Sequence, residues 1–106
     1  MEELVKIEIY VPLEYEEPLR MALAEAGAGR IGRYDSCVFV THGTGYFRPL
    51  AGADPFLGEK NRIEAAEECK LELQCSRALV PEVLRAIRRA HPYEEPVVHV
   101  IPLLCL

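Results

Sequence analysis

The chain has 106 residues, of which 50% are hydrophobic and 27% charged, and its formal net charge at pH 7 is −5. A chain of this length fits one domain, and the composition is globular rather than disordered or fibrous. The acidic balance argues against nonspecific binding to nucleic acid or to anionic lipid, since both need a basic surface. No apolar run reaches the roughly 20 residues that a transmembrane helix needs. We therefore expect one cytoplasmic domain over residues 1–106, with no nucleic-acid or membrane partner.

The four cysteines form no CxxC pair, and each lies in an apolar or strand-like context. They are Cys37, Cys69, Cys75 and Cys105. This pattern predicts reduced thiols that pack as small hydrophobic side chains. A disulfide or thiolate site is the alternative interpretation, because Cys69 and Cys75 lie on the same face of one predicted strand.

Three elements are predicted in the first half of the chain. Apolar and polar residues alternate from position 5, which predicts a strand that Pro12 closes. A helical apolar stripe begins near Tyr15 and ends at Gly27, with acidic residues in its first turn, as the helix dipole favours. After a glycine-rich loop, the β-rich segment from Ser36 to Tyr46 is the second predicted strand.

The third predicted strand runs from Ile63 to Cys75 and has the clearest period-two pattern in the chain. A long loop precedes it, because residues 48–60 carry two prolines and two glycines. The strand has about thirteen residues, whereas strands usually have five or six. We therefore expect the hairpin of the second and third strands to project beyond the sheet and to pair with another subunit.

The second predicted helix opens at Pro81 and stops at His91-Pro92, and Val97 to Ile101 is the last predicted strand. The order of elements is therefore β-α-β-β-α-β. This order predicts an α+β, ferredoxin-like fold, in which two helices cover one face of a four-stranded antiparallel sheet.

Three motifs carry a resemblance to a known family: AGAGRIGRYDSC at residues 26–37, GTGYFRPLAGADPFLGE at residues 43–59 and AHPYEEP at residues 90–96. Together they resemble the insert domain of the Nif-three-like dinuclear-metal-centre family, the YqfO-type proteins. That insert is similar to the CutA and PII trimers, and CutA carries an HPYE-V-P motif before its last strand. The present motif reads HPYEEP.

The resemblance implies a CutA/PII-like core and a homotrimer with clefts between its subunits. In the full-length family, the flanking halves carry the ligands of two metal ions, and a chain of 106 residues is too short to contain them. We therefore expect a freestanding counterpart of the insert without the dinuclear centre.

The HPYEEP corner places four polar side chains on a backbone that two prolines restrain. These side chains are His91, Tyr93, Glu94 and Glu95, and we predict that they bind a ligand. In the alternative interpretation, His91 caps the second helix, Tyr93 packs against the hairpin, and the two glutamates pair with arginines.

A divalent metal ion is one candidate ligand, and it is the only cofactor that the residues suggest. His91 and Glu94 could ligate such an ion, because imidazole and carboxylate groups suit zinc and similar cations. Two ligands are insufficient alone, so His42 or Glu67 would have to join from another strand or subunit. Glu67 also breaks the apolar face of the third strand, and a buried carboxylate needs a partner. We therefore expect Glu67 to face a pocket or a basic group.

The segment Gly43-Thr44-Gly45 ends the second predicted strand, where missing side chains let a backbone or a ligand approach closely. A bulge that bends the strand is the alternative, since a lone GTG is a weak phosphate-binding signal. Arg48 follows at the start of the loop and could meet an anionic ligand.

No Ser/His/Asp order, HExxH motif or P-loop occurs in the sequence, so we assign no catalytic residue and do not expect an enzyme. The expected function is a trimeric CutA/PII-like binding or regulatory module with a small-molecule or divalent-metal site in the subunit clefts. An assembly domain without a ligand is the alternative, supported by the long third strand and the apolar tail at residues 101–106. A metal-dependent hydrolase is a third, weaker candidate.

Overall fold

Two helices lie on one face of a four-stranded antiparallel sheet, as the sequence predicted. The computed structural model describes residues 3–104. The elements in chain order are β1 (Leu4–Pro12), α1 (Glu16–Glu25), β2 (Phe39–Phe47), β3 (Glu64–Ser76), α2 (Val80–Ala90) and β4 (Val98–Pro102). A short 3-10 turn leads into each helix. Among residues 3–104, neither helix is long and apolar enough to cross a membrane.

The strand order is β2-β3-β1-β4, so β1 and β3 are the central strands and β2 and β4 are the edges. The register of β1 and β3 runs without interruption from Leu4 opposite Ser76 to Pro12 opposite Glu68. This arrangement confirms the predicted ferredoxin-like fold class.

The core lies between the helices and one face of the sheet. Alternate side chains of β1 and β3 point towards the helices because strands have a period of two. The helices meet them with residues spaced three or four apart, such as Leu19 and Leu23 in α1 and Val83 and Ile87 in α2. The largest fully buried side chains are Ile7, Ile9, Leu19, Leu23, Leu71 and Ile87.

The hairpin of β2 and β3 projects beyond the rest of the sheet, as predicted. Strand β2 pairs with β3 from Glu64 onwards, whereas β1 pairs with β3 only from Glu68 onwards. Neither β1 nor the helices cover this projecting end, so Ile63 is 73% exposed and Tyr46 is 74% exposed.

The uncovered face of the sheet carries a network of four charged side chains near its centre. Lys6 Nζ lies 2.7 Å from a carboxylate oxygen of Glu72 and 3.1 Å from one of Glu8. Lys70 contacts the same two carboxylates at 3.6 and 3.7 Å. Hydrogen bonding to Lys6 lowers the pKa of Glu8 and of Glu72. The two lysines and the two glutamates therefore compensate one another's charge on the face of the sheet opposite the helices.

The start of β2 differs from the prediction. The strand begins at Phe39 rather than at Ser36, because Ser36 has a φ of 59°. That value lies in the left-handed region, which cannot continue a strand.

Cys37, Cys69 and Cys75 are free thiols. Burial raises the pKa of Cys69 and of Cys75, which keeps both thiols protonated. Cys105 lies outside the described residues.

Candidate ligand-binding site

A cavity of about 670 Å³ lies at the projecting end of the hairpin. Three parts of the chain enclose it: the end of β2, the loop at residues 48–57 and the HPYEEP corner between α2 and β4. Its walls are mainly apolar and aromatic, and Tyr10 of β1 and Glu68 of β3 also line it. The residues that enclose the cavity therefore come from motifs that are far apart in the sequence.

His91 holds the HPYEEP corner to the rest of the fold. Its main-chain N–H donates to the carbonyl oxygen of Ile87 at 2.8 Å and ends α2. The Nε2 atom lies 2.6 Å from the main-chain carbonyl oxygen of Tyr10, and Nδ1 lies 3.2 Å from the main-chain nitrogen of Tyr93. A carbonyl oxygen can only accept and an N–H can only donate, so Nε2 carries the proton and the ring is neutral. His91 is only 7% exposed, and this burial lowers its pKa.

Tyr93 reaches from the corner to the uncovered face of the sheet. Its hydroxyl group donates a hydrogen bond of 2.8 Å to Oε2 of Glu68. Burial and the Glu68 carboxylate both raise the pKa of Tyr93, so the phenol stays protonated as a donor. The ring centroid of Tyr93 also lies 6.0 Å from that of Phe47 and 6.3 Å from that of Phe56.

Glu68 is the principal site residue that sequence reasoning missed. The period-two pattern places it on the polar face of β3, together with solvent-facing neighbours. In the fold its side chain is only 9% exposed, because the HPYEEP corner covers this end of the sheet. Periodicity could not reveal this burial, since it depends on a segment about twenty-five residues further along the chain.

Gly45 makes room for the carboxylate of Glu68. A Cβ atom at position 45 would overlap Oε1 of Glu68, whereas a Cβ atom at Gly43 would meet open space. The pairing of β2 with β3 is continuous from Phe39 to Phe47, so no bulge interrupts it. We expected a backbone or a ligand to approach this glycine segment closely. The group that approaches Gly45 is the side chain of Glu68.

Glu94 anchors the loop that closes the cavity. Its Oε1 atom accepts a hydrogen bond of 3.0 Å from the main-chain N–H of Asp54. Phe56 is a second anchor of the loop. Its ring centroid lies 5.6 Å from that of Tyr15, and its ring also packs against Tyr93. Within residues 3–104, neither Glu94 nor Glu95 forms an ion pair with an arginine.

The structure brings together some of the residues that the sequence singled out. Those that line the cavity are Gly45, Arg48, Tyr93, Glu94 and Glu95, whereas His91 packs behind Tyr93. His42, Gly43 and Thr44 instead line an adjoining groove of about 390 Å³, which shares Gly45 and Glu68 with the cavity. Glu67 is exposed and lines neither space.

The metal ligands predicted from the sequence, His91, Glu94 and His42, are not assembled within one chain. Both ring nitrogens of His91 take part in hydrogen bonds, and Glu94 holds the loop. Among the described residues, no group of three or more His, Cys, Asp or Glu side chains could hold a metal ion. A metal site that includes these residues stays a prediction, and it would need ligands from a second subunit.

Known proteins similar to this chain are of two kinds. Residues 59–104 match the family described as CutA1 divalent ion tolerance protein. A Bacillus subtilis protein named GTP cyclohydrolase 1 type 2 homolog is 44% identical over 100 residues, which cover 94% of this chain and 27% of that protein. A Mycobacterium tuberculosis protein of the same name is 43% identical over 96 residues, which cover 91% of this chain and 25% of that protein. The chain thus spans about a quarter of the length of the curated relatives it matches.

Two solved structures represent the same two kinds of similar protein. A Bacillus cereus protein related to NIF3 is 39% identical, with a TM-score of 0.84 over 96% of this chain and 26% of that chain. The periplasmic divalent cation tolerance protein CutA from Archaeoglobus fulgidus is 24% identical, with a TM-score of 0.69, and the match covers 94% of this chain and 83% of that one. The resemblance predicted from the motifs is confirmed: the chain is similar to a CutA-like segment of longer NIF3-related proteins, and it shares the fold of CutA itself.

Proposed function

We propose that this chain is a CutA/PII-like binding or regulatory module whose small-molecule site is the cavity beneath the loop at residues 48–57. The observation that carries this proposal is that three motifs distant in sequence enclose one space of about 670 Å³. Small-molecule sites are typically clefts of about 300–1,000 Å³ with apolar walls and a few oriented polar groups. The present cavity has both properties.

The polar groups of the cavity are held in place before any ligand arrives. Tyr93 is fixed by Glu68 and by the neighbouring rings, and Glu94 is fixed by the main chain of Asp54. Preorganisation of this kind reduces the entropy that binding costs.

An organic ligand fits this site better than a single metal ion does. Both ring nitrogens of His91 are engaged in hydrogen bonds, so the histidine of the HPYEEP corner offers no free nitrogen to a cation. The names of the relatives nevertheless mention GTP and divalent cations. Both classes therefore belong in the test.

We further propose that the chain forms a homotrimer in the cytoplasm, with the cavity close to the subunit boundary. Support comes from β2, which is an edge strand of the sheet among residues 3–104. Exposed apolar side chains also support it: Phe39 and Tyr46 of β2, and Ile63 just before β3. Buried free thiols fit a reducing compartment. Multi-angle light scattering should give about three times the chain mass of 11.9 kDa.

Ligand binding is tested by thermal unfolding in the presence of nucleotides, nucleosides, small heteroaromatic compounds and divalent cations. A ligand at 100 times its Kd should stabilise the folded chain by about 2.7 kcal/mol. The variant Ala53→Trp, which fills the cavity, should lose this stabilisation. Ala51→Trp, two residues away on the exposed part of the loop, should keep it. Stabilisation that survives Ala53→Trp would place the ligand elsewhere.

A structural assembly domain without a ligand is the second candidate. The exposed apolar hairpin favours it, because such surfaces usually mark contacts with another protein. A stable oligomer that responds to no compound in the thermal experiment would support this function instead.

A further inference from the structure

We propose that the cavity selects a planar heteroaromatic molecule that presents a ring N–H beside an amino group, as a 2-aminoimidazole does, and that Glu68 accepts those hydrogen bonds. This inference rests on the proposed function and names the chemical class of the ligand. Three observations on the cavity lead to it.

The first observation is the state of the Glu68 carboxylate. The side chain is about nine-tenths buried and lines the cavity, and its Oε2 atom accepts the hydrogen bond from Tyr93. Over residues 3–104, no protein donor is within hydrogen-bond distance of its other oxygen, Oε1, which lies against Gly45. This oxygen is not sealed from solvent, because the described residues contain no buried side-chain oxygen without a partner. A carboxylate oxygen that has no protein donor can accept a charge-assisted hydrogen bond from an N–H group of a ligand.

The second observation is the shape of the walls. Phe47, Phe56 and Tyr93 form one aromatic cluster, and all three line the cavity. Aromatic side chains bind flat rings through offset or edge-to-face contacts. A planar ligand edge could then reach Glu68 while its faces contact these rings.

The third observation is the charge of the lining. Glu68, Glu94 and Glu95 contribute three carboxylates, against one guanidinium group from Arg48 and the imidazole of His99. This excess of negative charge disfavours an anionic ligand and favours a neutral or cationic one, and aromatic faces also attract cations. The ligand class therefore differs from that of a nucleoside triphosphate.

The test compares matched probes on the 106-residue chain by isothermal titration calorimetry. 2-Aminobenzimidazole has adjacent N–H donors and carries a positive charge when protonated, whereas indole has a similar size and one N–H donor. We expect the amino compound to bind at least about tenfold more tightly, since one charge-assisted hydrogen bond is worth that factor or more. Benzimidazole-2-carboxylate, an anionic analogue, should bind more weakly than either.

Glu68→Gln should reduce the preference for 2-aminobenzimidazole over indole to below about threefold, because the charge is lost while the size is kept. The control Glu67→Gln alters the neighbouring residue of β3, which is exposed and lines no part of the cavity, so the preference should stay. Equal affinity for the two probes, or a preference that survives Glu68→Gln, would overturn the inference.

Two further results distinguish failure of the proposed function from failure of the proposed ligand class. If no compound of the thermal experiment and no probe binds in a manner that Ala53→Trp abolishes, the proposed function itself fails. If another compound binds in that manner but the probes do not, or if indole binds as tightly as the amino compound, only the ligand class fails. Should Glu68→Gln not fold, nuclear magnetic resonance titration of the unmodified chain replaces it. Larger shifts of the Gly45 amide with 2-aminobenzimidazole than with indole support the inference, and equal shifts contradict it.

Discussion

A contact among three residues, Gly45, Glu68 and Tyr93, organises the candidate site. The glycine leaves space, the carboxylate occupies it, and the phenol fixes the carboxylate with a hydrogen bond of 2.8 Å. Each residue has an ordinary role alone. Together they allow a carboxylate to remain buried beside an open cavity, since a buried charge needs a hydrogen-bond partner.

We expect Gly45→Ala to lower the free energy of unfolding by about 1–3 kcal/mol, because the new methyl group must displace the Glu68 carboxylate and break its hydrogen bond with Tyr93. Gly43→Ala is the matched control, two residues away in the same strand, where a Cβ atom meets nothing. It should be neutral or slightly stabilising. Urea denaturation measures both variants, and equal effects would contradict this account of Gly45.

The stability of the fold should depend on pH through His91. Burial lowers its pKa below the ordinary value of 6.5, so the folded chain favours the neutral ring. This contribution is complete above pH 6.5 and is lost as the pH falls through the pKa of the folded state. Protonation would also remove the Nδ1 lone pair that accepts from Tyr93.

We therefore expect the free energy of unfolding to decrease from pH 7 to pH 5, with a contribution from His91 of at most about 1.4 kcal/mol per pH unit. Urea denaturation at several pH values should show a smaller slope for His91→Asn. His42→Asn alters an exposed histidine of β2 and should keep the slope of the unmodified chain. Identical slopes for all three proteins would rule out His91 as the group responsible.

At the scale of elements, the same period-two pattern in β3 has two different outcomes. Near its end, Leu71 and Leu73 are buried because β1 and the helices pack against them. Near its start, Ala65 and Glu67 share the same face but are exposed, because β1 and the helices do not extend that far. A hydrophobic pattern thus defines a face, and neighbouring elements decide how much of it is buried.

Helix α1 offers a direct test of this burial. Leu23 is fully buried against the sheet, whereas Met21 is 58% exposed on the other side of the same helix. Leu23→Ala should cost about 2–5 kcal/mol of stability through lost burial and the cavity left behind. Met21→Ala should change stability by less than about 0.5 kcal/mol. Thermal and urea unfolding measure both variants. Similar losses of stability for the two would contradict the assignment of Leu23 to the buried face of α1 and of Met21 to the exposed one.

At the scale of the whole molecule, assembly would cover what the single chain leaves exposed. Within the part of the chain that the structure describes, the outer edge of the hairpin pairs with no further strand, and several apolar side chains are exposed. A monomer usually avoids this combination. Because the cavity lies at the end of this hairpin, assembly and ligand binding would share one region.

We expect Ile63→Glu to shift the proposed trimer towards monomer, because a charge would replace an exposed apolar side chain of the hairpin region. Arg88→Glu, on the exposed side of α2, is the control and should leave the oligomer intact. Light scattering gives the mass, and circular dichroism checks that each variant is folded. An unchanged mass for Ile63→Glu would place the subunit contact elsewhere.

The sequence by itself determined the order of elements, the helical and strand faces, the long hairpin and the similarity to CutA-like segments. These features are local, since alternation, helical spacing and turn residues act over a few neighbouring positions. Sequence motifs also identified Tyr93, Glu94 and Gly45 as residues worth attention, although without their partners.

Only the tertiary structure decided which polar residues became buried. Glu67 and Glu68 are neighbours of identical chemistry, yet Glu67 is exposed and Glu68 is buried beneath the HPYEEP corner. Likewise, the nitrogens of His91 are engaged by Tyr10 and Tyr93. Burial and hydrogen bonding depend on segments that meet in space from distant positions, and no local pattern records those contacts.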